Sequence, residues 1–172
     1  DGAAVVFPVV NGPQGEDGTM QGLLELLNVP YVGTGVLGSA LSMDKIKAKK
    51  LAKTVGIPVA ESKIISREEA AREHAMKPPY VIKPVAEGSS FGVVIVREDA
   101  PHPPQELTRD DWPYSEYLMA ERFVAGRELA CSVMGDVALG VTEIQTGGEK
   151  FYDYDAKYRP GGSKHVIPAE IK

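Results

Sequence analysis

Between Pro79 and Val96 the chain reads PYVIKPVAEGSSFGVVIV. Two apolar, β-branched runs enclose a short glycine- and serine-rich stretch, a pattern that predicts strand, tight loop, strand. Lys83 closes the first run, four residues ahead of Glu87-Gly88-Ser89-Ser90-Phe91-Gly92. Glycines let backbone approach an anion closely, and successive N–H groups can form a concave anion site. Serine hydroxyls add donors, and a nearby lysine acts as a point charge on phosphate. An ordinary hairpin loop beside a surface lysine would carry the same letters, so this segment alone leaves both readings open.

The rest of the chain is cut into short elements. Glycine and proline number 18 and 13 of 172 residues, enough for many tight turns but short of low complexity. AAVVFPVV (3–10) reads as a buried strand, weakened at Pro8, which has no ladder donor. Met20, Leu23, Leu24 and Leu27 recur at helical spacing, with Thr19 as N-cap. Ser42 or Asp44 can cap a second helix carrying Ile46, Leu51 and Val55 on its apolar side, with Gly56 at its C-terminal turn and Pro58 beyond. Lysines 45, 47, 49, 50 and 53 then read as its solvated faces. SKIIS (62–66) is an expected strand, and Ser66 with Glu69 matches a capping box. Residues 97–114 read as a polar surface connection, Tyr117–Val124 as a strand, and 129–144 as a hairpin turning at Gly135-Asp136. Helices mixed with hairpins and crossovers predict an α+β or mixed α/β class.

Several function classes are excluded or disfavoured. A net charge of −5 without a long basic cluster argues against nucleic acid as a partner. No apolar stretch approaches the roughly 18 residues of a membrane span. A single cysteine, Cys131, leaves no intrachain disulfide framework and is compatible with a reducing cytoplasm. Gly33, Gly35 and Gly38 spell G-x-G-x-x-G, yet only VPYV precedes them and no carboxylate falls near Lys53–Pro58, so a dinucleotide site is not expected. Those glycines read instead as an interdomain turn. There is no P-loop, H-E-x-x-H or C-x-x-C motif, and His74, His102 and His165 are scattered. No metal-ligand set is predicted within the 172 residues.

VIKPVAEGSSFG (81–92) strongly resembles the lysine and flexible loop of the ATP-grasp fold as found in D-alanine–D-alanine ligases. GPQGEDGTMQGLLELLNVPYVGTGVLGSALSMDK (12–45) resembles the stretch running from that family's first domain into its central one. AERFVAGREL (120–129) resembles its adenine- and ribose-contacting strand, and FYDYDAKY (151–158) its closing loop. The blocks keep the family order across most of the chain. The resemblance implies the end of an N-terminal α/β substrate domain at 1–33, a central ATP-grasp lobe at 34–120, and the start of the C-terminal lobe at 121–172.

The resemblance also implies roles. Lys45 and Lys83 would meet the nucleotide phosphates, with Glu87, Gly88, Ser89 and Ser90 in the covering loop. Lys45 alone among the lysines of its helix thereby leaves the solvated-face reading. Glu121, Arg122, Phe123 and Val124 would meet the adenine edge, largely through backbone, and Glu128 the ribose hydroxyls. Lys157 would reach the γ-phosphate, while Tyr158 would bond Ser89 and help orient substrates; Asn11 and Glu16 lie on the substrate side. Tyr152 and Tyr154 would pack the closing loop. The implied reaction joins two D-alanines with ATP through an acyl phosphate, for peptidoglycan precursors, with Mg2+ on the phosphates and a cytoplasmic homodimer as the implied setting. Tyr158 favours D-alanine over D-lactate as acceptor, since phenylalanine there is associated with lactate.

Two departures stand out. Asn11 occupies the place of the family's usual histidine and cannot become cationic. The family is also longer at both ends: a substrate-binding glutamate upstream, and an arginine and metal ligands downstream, have no counterpart here. The sequence, beginning at Asp1 just before an apolar run, is therefore expected to be part of a longer enzyme. The alternative is a nucleotide-binding fragment without turnover.

Overall fold

The computed structural model describes residues 4–146 and 157–171. The chain divides into two compact units, 1–123 and 124–172.

In the first unit, helices α1 (Thr19–Leu26), α2 (Val36–Met43) and α3 (Lys45–Thr54) precede a four-stranded antiparallel sheet. Its strands are β1 (Ser62–Ser66), β2 (Tyr80–Pro84), β3 (Val94–Val96) and β4 (Tyr117–Arg122), in the order β1-β4-β2-β3. Helix α4 (Arg67–Arg72) follows β1 directly, and Ser66 caps it by accepting the N–H of Glu69 at 3.1 Å. The capping box expected there thus supplies its Ser66 half. Asp44 caps α3, its Oδ1 accepting the N–H groups of Ile46 and Lys47 at 3.0 Å each. Gly56, with φ +78°, follows the C-cap as expected.

Register decides which side chains share a face. Ile82 lies opposite Ala120 and Pro84 opposite Leu118, so these residues point one way. Ile82, Leu118 and Ala120, together with Ile65, Ala70, Ala75, Tyr80, Val96 and Leu107, form the core under α4. Lys83 lies opposite Met119 and Val81 opposite Glu121, which puts Lys83 and Glu121 on the other face.

Four expectations change. Residues 4–10 form no strand; Val6 makes one parallel bridge to Tyr31, and Phe7 and Val9 are exposed. Pro8 offers no N–H to continue that ladder. Gly18, with φ +93°, is the N-cap of α1 rather than Thr19, whose N–H is taken by Asp17 at 3.0 Å. The G-x-G-x-x-G stretch opens a helix, α2, with Gly35 as N-cap and Gly38 inside it, rather than a turn. The 97–114 connection is only partly surface: a 3-10 turn, Gln105–Thr108, buries Leu107, and Trp112 packs against the core.

In the second unit, β5 (Glu128–Met134), β6 (Val137–Thr146) and β7 (Ser163–Val166) form an antiparallel sheet in chain order. The β5–β6 turn at Gly135-Asp136 falls where the sequence predicts it, with Gly135 at φ +58°. Strand β7 lies in a stretch without strand periodicity.

The core assignment gives a direct test. Leu118 is completely buried, so Leu118→Ala should cost about 2–5 kcal/mol, read as a fall in the urea midpoint. Lys53→Ala, on the exposed side of α3, should shift stability by no more than about 0.5 kcal/mol.

Candidate functional site

The first unit brings together charged side chains of α3, β2 and β4, with Lys83 and Glu121 two register positions apart on one face of the antiparallel β2–β4 pair. Lys45 is the first residue of α3, and its own N–H donates to the carbonyl of Val85 at 3.1 Å. Its ammonium donates to the carbonyl of Glu87 at 2.7 Å and lies 3.5 Å from that of Val85. Burial, followed by the charge of Lys83, holds the Lys45 pKa below the usual lysine value. Lys83 pairs with Oε1 of Glu121. The other oxygen of Glu121 pairs with Lys49, which also donates to the carbonyl of Ala60 at 2.7 Å. Lys49 and Lys83 thus share one carboxylate, while Lys45 feels the charges of Lys83, Glu87, Asp44 and Glu121.

That loop is built from positive-φ residues. Ser89 and Ser90 both take positive φ, 49° and 61°, and Gly92 follows at 67°. A Cβ on Gly92 would come within 2.7 Å of Pro84 Cγ and the Tyr114 ring, so only glycine fits there without rearrangement. Gly88 lies against the 11–16 loop: a Cβ there would meet Gly12 Cα at 3.1 Å and Glu16 Oε2 at 3.2 Å. Glu16 in turn accepts the N–H of Gly12 at 2.5 Å, one residue after the exposed Asn11.

Lys45, Lys83, Glu87, Gly88, Glu121 and Glu16 are therefore brought to one region of the first unit. Arg122 instead reaches out to Glu61, 3.9 Å away, and the N–H of Phe123 goes to Pro79 at 3.3 Å. Lys49 corrects the solvated-face reading of its helix. Its side chain is 15% exposed and bonded to Glu121, a role signalled in sequence only by its position one turn after Lys45.

In the second unit, Glu128 opens β5. Burial raises its pKa, and the charge of Lys157 partly offsets that rise. Val124 is exposed, as is Tyr158. Arg127, not expected from sequence, forks onto both oxygens of Glu143 at 2.6 and 2.8 Å and donates to the carbonyl of Glu170 at 2.8 Å. Tyr152, Tyr154 and most of the expected closing loop lie outside the described residues. Among the described residues, no group of three His, Cys, Asp or Glu side chains could hold a metal ion. No helix among them is long and apolar enough to cross a membrane.

The mixed α/β architecture, with antiparallel sheets and a lysine-flanked glycine-serine loop, is that of the ATP-grasp fold. Residues 51–172 match the family model of the D-ala D-ala ligase C-terminus and residues 1–34 that of its N-terminus. The chain belongs to the D-alanine–D-alanine ligase family. It is 63% identical over 167 residues to a D-alanine–D-alanine ligase of Sinorhizobium medicae, covering 97% of this chain and 54% of that protein. A Methylocella silvestris relative of the same name is 59% identical over 163 residues, covering 95% and 53%. Among solved structures, the VanG D-Ala:D-Ser ligase of Enterococcus faecalis superposes with TM-score 0.74 at 40% identity, over 98% of this chain and 51% of that one. The Bacillus anthracis D-alanine–D-alanine ligase gives 0.69 at 28%, over 98% and 55%. The chain spans about half the length of the curated relatives it matches.

The charge cluster makes a pH prediction. Burial pushes the Glu121 pKa up, but hydrogen bonds and charge from Lys49 and Lys83 outweigh it, leaving it below the ordinary carboxylate value. A depressed folded-state pKa stabilises at pH above the unfolded value, and that contribution disappears as pH falls through the folded one. Glu121→Gln should therefore be less stable than wild type at neutral pH, and its urea midpoint should fall less steeply on acidification. Parallel acid limbs for the two proteins would rule this out.

Proposed function

We propose that this chain supplies the nucleotide-handling part of an ATP-dependent ligase that joins two D-alanines into D-alanyl-D-alanine. The observation that carries the reading is Lys45, bonded to the Glu87 carbonyl and close enough to Lys83 to feel its charge, beside a loop whose two serines hold positive φ. Half-buried ammonium groups beside part-buried backbone turns suit a polyphosphate, so the residues fit ATP. ATP, when bound, supplies the phosphoryl group that gives the first D-alanine carboxylate a leaving group.

The chain's own residues would bind, orient and exclude water. Lys45 and Lys83 would take the phosphates, and Ser89 and Ser90 would close over them with Gly88. Glu121 to Val124 would line the adenine edge and Glu128 would accept from ribose hydroxyls. Burial raises the Glu128 pKa, and the charge of Lys157 opposes part of that rise. Lys157 would add positive charge where phosphate oxygens gather, and Tyr158 would orient Ser89 and the amino acid. Glu16, locked to Gly12, would shape the substrate side together with Asn11. Among the described residues no cluster of His, Cys, Asp or Glu side chains could hold Mg2+.

The alternative reading is a nucleotide-binding chain without turnover. Intact mass from the native source separates the two: 18.5 kDa for the fragment, well above it for the ligase.

In the ligase containing this chain, Lys83→Ala should weaken ATP use by about 2–4 kcal/mol, appearing in ATP kinetics before D-alanine kinetics. Unchanged ATP KM and kcat in a folded variant would falsify the assignment. Tyr158→Phe should shift the ratio of D-alanyl-D-alanine to D-alanyl-D-lactate by about ten- to hundredfold when both acceptors compete, since one hydrogen bond is lost. An unchanged product ratio would reduce Tyr158 to packing.

A further inference from the structure

Glu121 sits between two lysines that are not equivalent. Lys49, from α3, holds Oε2 and is anchored a second time on the Ala60 carbonyl. Lys83, from β2, holds Oε1 and faces the side where Lys45 and the 86–92 loop lie. The three side chains are 15%, 18% and 22% exposed for Lys49, Glu121 and Lys83. At such burial a carboxylate stripped of its cation is expensive, and a lysine is correspondingly hard to draw away from it.

We propose that Lys49 is a positioning residue: it is the standing counter-ion of Glu121 and so frees Lys83 to exchange that carboxylate for a nucleotide phosphate. With Lys49 in place, Glu121 keeps one charge-assisted hydrogen bond after Lys83 turns, and the pair left behind is neutral. Without Lys49, Lys83 is the carboxylate's remaining neutralising partner in this trio, and a phosphate must compete with Glu121 for it. Helix geometry divides the labour. Lys45 and Lys49, four residues apart on one face of α3, serve the loop carbonyls and the carboxylate respectively. The inference rests on the reading of Lys83 as a phosphate ligand.

The test measures ATP and D-alanine kinetics of the full ligase carrying Lys49→Met, Lys49→Arg, Glu121→Gln and the Lys49→Met/Glu121→Gln pair, with Lys83→Ala alongside. Lys49→Met should raise the ATP KM about tenfold or more while leaving the D-alanine KM within about twofold, and Lys49→Arg should recover most of the loss. Lys49→Gln, which keeps a donor for Ala60 without the charge, should behave as Lys49→Met and serves if the methionine variant does not fold. In the Glu121→Gln background, where no carboxylate competes for Lys83, adding Lys49→Met should change the ATP KM by less than about twofold. A merely structural lysine would give the same loss in both backgrounds, and that outcome overturns the proposal. Normal ATP KM in both Lys49→Met and Lys49→Gln, with Lys83→Ala impaired, overturns it too while sparing the phosphate reading. An unimpaired Lys83→Ala removes the phosphate reading itself.

Discussion

The two-sided ion pairing of Glu121 ties together three elements that are remote in sequence. Strand β4 lies between β1 and β2, so its last turn of side chains can face both α3 and the end of β2. A single carboxylate there accepts from Lys49 of α3 through one oxygen and from Lys83 of β2 through the other. The lysines offset the desolvation of the carboxylate, which left without a cation would be costly. A purely apolar contact would pack as well; the charged one leaves lysines poised beside a loop built from turns.

That loop depends on close backbone approach. Gly88 touches the Gly12–Glu16 turn, and Gly92 lies under Pro84 and Tyr114. Between them Ser89 and Ser90 hold a conformation that costs non-glycine residues on the order of 1 kcal/mol each. The two glycines remove crowding at the ends, and the serines retain hydroxyls in the middle. Trp112, stacked edge-on against Tyr114 with ring centroids 5.0 Å apart, links the loop's base to the core.

What was legible in the sequence was mostly local. The strand-loop-strand at 79–96, the Asp44 and Ser66 caps, and the Gly135-Asp136 turn each depend on residues within a few positions, and each is where its letters put it. Lys49 was not legible, because its partner Glu121 is 72 residues away and only the sheet order brings them together. Helix α2 was missed because VLGSALSM has an interior glycine, no polar N-cap side chain and apolar residues around its circumference. Leu107 was hidden among prolines and charges, where one buried side chain leaves no periodicity to read. The proposed roles of Lys45 and Lys83 rest on family resemblance rather than pattern, since an isolated lysine before a turn has no chemistry of its own.

Asp44 ends α2 and begins α3, with one extended residue serving both. The angular phase of α3 is therefore set at a single peptide: Lys45 and Lys49 point where they do because the helix starts counting immediately after that carboxylate. Each residue advances an α-helix by about 100°, so one residue inserted after Asp44 would swing both ammonium groups about a quarter-turn around the cylinder. Composition, burial and helix length would hardly change, yet neither the loop carbonyls nor Glu121 would find their cation. In this short segment, spacing is as much a chemical property as charge.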